Sequence, residues 1–264
     1  MLLSHHHKFI LIRPLKTASS SIEFALSRLL EPGDFATRPP RQKNAQHVIK
    51  PGVRVGSSWF WPHSKFYRPV RIRNHSCLEH VYAVFPEEVQ SYQVVSMTRN
   101  PWDRAVSRFF YHKRRTRMRE RDFATQKAAF IRFTHRFGPL TWLDRYWRLK
   151  RERSLDNSRR LYFIDGACRA DYVIRVECIE RDLNGLQDFL GLAKKPTVEG
   201  IRLKTTTRPA SQSHQWMDFY DDATRDLVAE CCRWEIEQFG YDFEGKAELK
   251  GPFITNPEAC RNAA

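Results

Sequence analysis

Lys8-Phe9-Ile10-Leu11-Ile12-Arg13-Pro14-Leu15-Lys16-Thr17-Ala18-Ser19-Ser20-Ser21-Ile22-Glu23 sets the fold class of this 264-residue chain. An apolar run of strand character, Phe9 to Ile12, ends in a short loop with one lysine and a string of small hydroxyl residues, and a helical pattern begins at once. A strand that runs into a helix start presents first-turn N–H groups and the positive end of the helix dipole, a natural seat for phosphate or sulfate. Small residues at Ala18, Ser19, Ser20 and Ser21 let such an anion approach the backbone, and the hydroxyls add donors. The Walker loop of ATP- and GTP-hydrolysing proteins does not fit. It requires Gly-x-x-x-x-Gly-Lys-Ser/Thr, whereas this segment has no glycine and its lysine comes first. Read without a ligand, the same residues make a strand-to-helix turn with Ser19 or Ser20 as N-cap.

A second strand candidate, Tyr92 to Met97, leads directly into Thr98-Arg99-Asn100-Pro101-Trp102-Asp103-Arg104-Ala105-Val106-Ser107. Proline at 101 suits the first turn of a helix capped by Asn100. Arg99 then stands at the strand end, with Ser107 about two helical turns further on. Strands followed by helices recur near residues 9, 93 and 172, the pattern of an α/β fold with a central parallel sheet and helices on both faces, a three-layer α/β/α arrangement. Ligands of such sheets bind beyond the carboxyl ends of the strands, where both loops fall. A length of 264 residues with 41% hydrophobic content suits a single domain spanning 1–264.

Lys16 to Glu23 resembles the 5'-phosphosulfate loop of sulfotransferases that use 3'-phosphoadenosine 5'-phosphosulfate (PAPS), whose usual form is Pro-Lys-Thr-[Gly/Ala]-Gly-[Thr/Ser]-Ser. Here the proline lies two places before the lysine, and Ser19 stands at the usual glycine. Arg99 to Ser107 resembles the 3'-phosphate motif of the same family, Arg-Asn-Pro-[Tyr/Trp]-Asp-Arg-x-Val-Ser, without a gap. Tyr172 to Leu183 is similar to a later strand and helix of the family, and Phe219 to Phe243 to its terminal helix and closing aromatic segment.

The resemblance implies a P-loop-nucleotide-hydrolase-like fold and an enzyme that moves a sulfuryl group from PAPS to a hydroxyl acceptor, releasing adenosine 3',5'-bisphosphate (PAP), with no metal. Lys16 would be catalytic and, with Thr17, Ala18, Ser19, Ser20 and Ser21, would cradle the 5' end of the donor. Arg99 and Ser107 would bind the 3'-phosphate by charge-assisted contacts, with Asp103 and Arg104 as helix-surface charges. Arg208, in Lys204-Thr205-Thr206-Thr207-Arg208, lies where family members often place a basic residue over the nucleotide. Arg73-Asn74-His75-Ser76-Cys77-Leu78-Glu79-His80 resembles a segment of bacterial members whose histidine faces the acceptor, so His75 is the candidate base and His80 and His47 are its reserves. An imidazole, with an unperturbed pKa of about 6.5, suits that task at neutral pH. As metal ligands, His75, Cys77 and His80 lack a fourth partner.

A net charge of +15 calls for an anionic partner. No nucleic-acid-binding signature accompanies it. The run Lys113 to Arg121 reads as a solvated helix face that also draws in PAPS, with its roughly four negative charges, or an acidic acceptor. The acceptor class expected is a carbohydrate or glycolipid, with a small metabolite also open. Six cysteines show neither metal nor disulfide spacing. That usage, together with the lack of a membrane-length apolar run, points to a cytoplasmic, bacterial-type member without the anchor of Golgi carbohydrate sulfotransferases. Residues 31–73 read as an irregular insertion over the acceptor site. The segment from Phe123 to Trp147 reads as helical, with Trp142, Tyr146 and Trp147 as core. Two other function classes stay open: a P-loop-type kinase or phosphotransferase, and a non-enzymatic polyanion-binding protein.

Overall fold

The structure, a computed structural model, describes residues 1–37, 50–56, 58–60, 70–113, 116–136, 155–156, 161–198 and 215–252. In chain order the strands are β1 (Leu2–Ser4), β2 (Phe9–Leu11), β3 (Phe35–Ala36), β4 (Arg54–Val55), β5 (Ser58–Phe60), β6 (Val70–Ile72), β7 (Gln93–Thr98), β8 (Phe163–Ile164), β9 (Ala167–Cys168) and β10 (Tyr172–Arg175). The α-helices are α1 (Ser19–Ser27), α2 (Leu78–Val84), α3 (Pro101–His112), α4 (Phe123–His135), α5 (Ile179–Phe189), α6 (Asp222–Cys231) and α7 (Arg233–Phe239). The chain divides into two compact units, one of Met1–Thr98, Ser158–Leu203 and Pro252–Ala264, the other of Arg99–Asn157 and Lys204–Gly251.

The first unit holds a six-stranded sheet in the order β10-β7-β2-β1-β3-β4. β2, β7 and β10 run parallel, with Leu11 opposite Val95 and Thr98 opposite Arg175. β3 and β4 are also parallel, while β1 is antiparallel to both of its neighbours. The sheet is therefore mixed and mostly parallel. β1 carries no legible pattern in the sequence because Leu2-Leu3-Ser4 is too short for one. It forms a hairpin with β2 through residues 5–8, where Lys8 takes a φ of 50°. Asp34 secures that turn by accepting from the Ser4 hydroxyl at 2.8 Å and the His5 N–H at 2.7 Å.

One face of this sheet, carrying Leu2, Phe9, Leu11, Val95, Met97, Tyr172 and Ile174, packs against Ile22 and Leu26 of α1 and Leu183 and Leu186 of α5. Strand alternation sends Leu3, Ile10 and Val94 to the opposite face, and these are buried too. Phe35, out of phase with Ala36, meets Phe85 at the end of α2 with ring centroids 5.4 Å apart. Helices thus flank both faces, which is why the strands read as continuous apolar runs. At the carboxyl end of β10, the Arg175 N–H and Nε each donate to Asp182 Oδ2 at 2.8 Å, locking strand to helix.

Residues 31–73 are less irregular than their sequence suggests. In their described parts they contribute β3 and β4 to the main sheet, and β5 and β6 pair as a separate antiparallel ribbon. These strands have two or three residues each, too few for a period-2 signal to show.

The second unit is helical in its described residues. α3 begins as the sequence predicts, with Pro101 in the first turn and the Asn100 side chain accepting from the Trp102 and Asp103 N–H groups at 3.1 and 3.4 Å. Asn100 Nδ2 also donates to the Asp242 carbonyl at 2.9 Å, and the Tyr220 hydroxyl to the Trp102 carbonyl at 2.8 Å. Phe109, Phe110, Phe130 and Phe219 meet edge to face beneath this helix.

Two expectations are corrected here. Arg104 is not a surface charge: it is 2% exposed and forks onto both oxygens of buried Glu235, because its position on α3 points inward. Burial disfavours its charge, but attraction and hydrogen bonding from Glu235 more than offset that and hold its pKa above the usual value. The basic run after α3 is also not a helix face. The helix stops at His112, and the described part of the run is a turn followed by a short 3-10 segment, Met118–Glu120.

Candidate active site

The β2–α1 connection turns through two left-handed residues, Lys16 at φ 65° and Ala18 at φ 50°. Neither is glycine, so each bears a steric cost of roughly 1–2 kcal/mol. Ser19, at the usual glycine position, lies in the first turn of α1 and needs no glycine. Ala18 occupies the N-cap, and having no polar side chain it provides no cap hydrogen bond; the first turn also carries no acidic residue. The predicted serine cap is therefore absent, and neither a capping side chain nor an acidic residue of the first turn offsets the positive end of the helix. Ser19, Ser20 and Ser21 are buried on that first turn, while Lys16 is half-buried. The Thr17 hydroxyl donates to the Pro14 carbonyl at 3.0 Å, so it braces the loop from within.

Beneath the loop lies a polar network that no motif in the sequence marks. Arg13, 3% exposed, donates through Nη1 to Glu23 Oε2 and through Nη2 to Ser20 Oγ at 3.2 Å. Glu23 is fully buried and accepts through Oε1 from the Met1 amino group at 2.9 Å. Burial lowers the Arg13 pKa, and the attraction of Glu23 opposes the shift. The signal available in the sequence is one arginine closing an apolar run and one glutamate in an otherwise apolar and hydroxyl-rich helix start.

The Arg13 backbone reaches a second candidate. His75 Nδ1 lies 2.7 Å from the Arg13 carbonyl oxygen. His75 is half-buried just before α2, in a turn closed by the Ser76 hydroxyl, which accepts from the Arg73 N–H at 2.8 Å. His75, some sixty residues from Lys16 in sequence, thus bonds to the short stretch of backbone that leads into Lys16. His80 lies in the first turn of α2, and His47 falls outside the described residues.

In the second unit, Arg99 precedes α3 and Ser107 is buried on it. The Arg99 guanidinium pairs with Asp103, four residues on, with side chains 21% and 14% exposed. Arg208, Trp142, Tyr146 and Trp147 lie outside the described residues. No disulfide joins the described cysteines. Among the described residues, no helix is long and apolar enough to cross a membrane.

A profile of the Sulfotransferase family matches residues 1–242. A solved structure similar to this chain is that of mouse sulfotransferase SULT7A1 with PAP, at a TM-score of 0.43 and 11% identity, covering 99% of this chain and 90% of that one. No curated protein matches the chain significantly. The profile takes in the Lys16 loop, the His75 turn and the Arg99 helix together, and on that match the chain belongs to the Sulfotransferase family and is a PAPS-dependent sulfotransferase.

Proposed function

We propose that the enzyme transfers the sulfuryl group of PAPS to a hydroxyl of a carbohydrate or glycolipid, with His75 as the general base and Lys16 at the reacting end of the donor. The observation that carries this reading is the 2.7 Å contact between His75 Nδ1 and the Arg13 carbonyl, three residues before Lys16. It fastens a proton acceptor to the loop that the family motif assigns to the phosphosulfate.

Sulfuryl transfer proceeds in line through a loose transition state with demands like those of phosphoryl transfer. The acceptor oxygen forms a bond to sulfur as the bond from sulfur to the bridging phosphate oxygen breaks. The electron pair leaves with the 5'-phosphate of PAP, and the acceptor proton passes to His75 Nε2. Lys16 and the uncapped start of α1 neutralise the charge that grows on the leaving phosphate. Thr17, Ala18, Ser19, Ser20 and Ser21 shape the cradle. Arg99 and Ser107 take the 3'-phosphate, and Arg208 is assigned to the nucleotide from its sequence position alone. Acceptor choice is placed on residues 31–73, and a cytoplasmic setting accords with the cysteine usage.

Incubating the protein with radiolabelled PAPS and a host extract tests the acceptor. Label in the glycan or glycolipid fraction is the expected result. Label confined to small metabolites would overturn the acceptor assignment while leaving the donor chemistry in place.

A further inference from the structure

A donor loop with no glycine holds two residues in left-handed geometry, and something must hold them there. Strained backbone persists where its surroundings over-determine it. The buried contacts of Arg13 lie across the mouth of this loop: residue 13 stands at its start, residues 20 and 23 on the helix that ends it, and Lys16 and Ala18 between them. Arginine suits this position because its planar fork reaches two acceptors from one rigid group. The pair is almost wholly removed from water, at 3% and 0% side-chain exposure, so its geometry is little softened by solvent.

We infer that Arg13 and Glu23 form a strut that keeps the glycine-free loop in its donor-binding shape and couples it to the base, a role that rests on the donor-site reading above. Through its side chain Arg13 fixes Ser20 and Glu23; through its carbonyl it fixes His75. Both are positioning residues. Neither need touch the donor, since each acts through the loop and, for Arg13, through the imidazole.

The strut makes a prediction that a merely stabilising ion pair does not. Replacing both partners with apolar groups of similar size, Arg13→Met with Glu23→Leu, removes both charges of the pair, and the Met1 amino group that loses Glu23 keeps the Thr37 hydroxyl at 2.7 Å and stands neutral, since burial lowers its pKa to about 5. It should therefore spare the fold while freeing the loop. Melting temperature, affinity for PAP, kcat/KM for PAPS and KM for the acceptor would be measured on this pair variant, with and without Ala18→Gly. The expected loss is about 100-fold in kcat/KM for PAPS, as for a donor misplaced by about an ångström, with weakened PAP binding and little change in acceptor KM. Relieving one left-handed alanine shifts a loop equilibrium by roughly 5- to 30-fold. Ala18→Gly should recover activity of that order in the strutless background and much less beside an intact strut.

A pair variant as active as the parent would overturn the inference, as would an Ala18→Gly effect of the same size in both backgrounds. If the pair variant does not fold, Arg13→Lys keeps the buried charges balanced but loses the fork. It is read in the same cycle, with an expected loss of about 10-fold and the same outcomes overturning it. A Lys16→Ala variant that transferred sulfuryl at the parent rate would sink the donor-site reading and the strut with it, which separates that failure from failure of the strut alone.

Discussion

The Nδ1 atom of His75 donates to the carbonyl oxygen of Arg13 across 2.7 Å. A carbonyl oxygen only accepts, so the proton on this side of the ring is fixed at Nδ1, and in the neutral imidazole the lone pair stands at Nε2. One hydrogen bond thereby selects the tautomer that a general base requires, and attaches it to the backbone that leads into the β2–α1 loop. His75→Asn should lower kcat by about 100- to 10,000-fold and remove the acid limb that an essential base gives to the pH–rate profile. A variant that kept that limb would reassign the base, with His80 next to be tested.

Lys16→Ala should reduce kcat by about 100- to 1,000-fold, the usual cost of losing one donor to a developing negative charge. Binding of a polyanion such as heparin should change little, because the net charge falls only from +15 to +14, one lysine fewer. Retained sulfuryl transfer would place the reacting end of the donor elsewhere.

The Arg99 guanidinium pairs with Asp103. Arg99→Ala should weaken PAP by about 10- to 100-fold and adenosine 5'-phosphate far less, since only PAP presents a 3'-phosphate. Asp103→Asn removes the internal competitor, and calorimetry should show PAP binding tightened or unchanged at low salt. Equal losses for the two nucleotides in Arg99→Ala would remove Arg99 from the 3'-phosphate site.

The Arg104–Glu235 pair is a structural element of the second unit, with side chains 3% and 1% exposed. Glu235→Gln strands a buried guanidinium and should cost about 3–5 kcal/mol in urea unfolding. Arg104→Met with Glu235→Leu should recover most of that loss. A surface pair would show neither effect.

Asp221 caps α6 by accepting from the Thr224 N–H at 2.8 Å, and hydrogen bonds from the Thr224 side chain and backbone lower its pKa from 3.8. A carboxylate with a depressed folded-state pKa adds stability above its unfolded value, and that stability is lost as pH falls through the folded value. Asp221→Ala should thus destabilise by about 1 kcal/mol at neutral pH, and the gap should close below pH 3.8. A gap independent of pH would show that the charged carboxylate is not what caps the helix.

Local patterns made the helix starts legible. Asn100-Pro101 announced α3, and Phe9 to Ile12 followed by small residues announced the β2–α1 connection, because capping and burial act on neighbours in sequence. β1, β3 and β4 left no such trace: two or three residues paired across a sheet have no period to read. Arg104 misled for a related reason. A charged residue on a helix reads as solvated until a distant partner, here Glu235, is known to face it.

The sequence by itself determined the family, the α/β class and the two loops assigned to the donor, since these rest on residues close together in the chain. The tertiary structure alone shows that Ala18 and not a serine stands at the N-cap of α1, that His75 rests on the Arg13 carbonyl, and that Arg13 and Glu23 pair beneath the loop. Burial gives such long-range contacts their strength, and no local pattern shows which charged or imidazole side chains the fold will bring together in a water-poor interior.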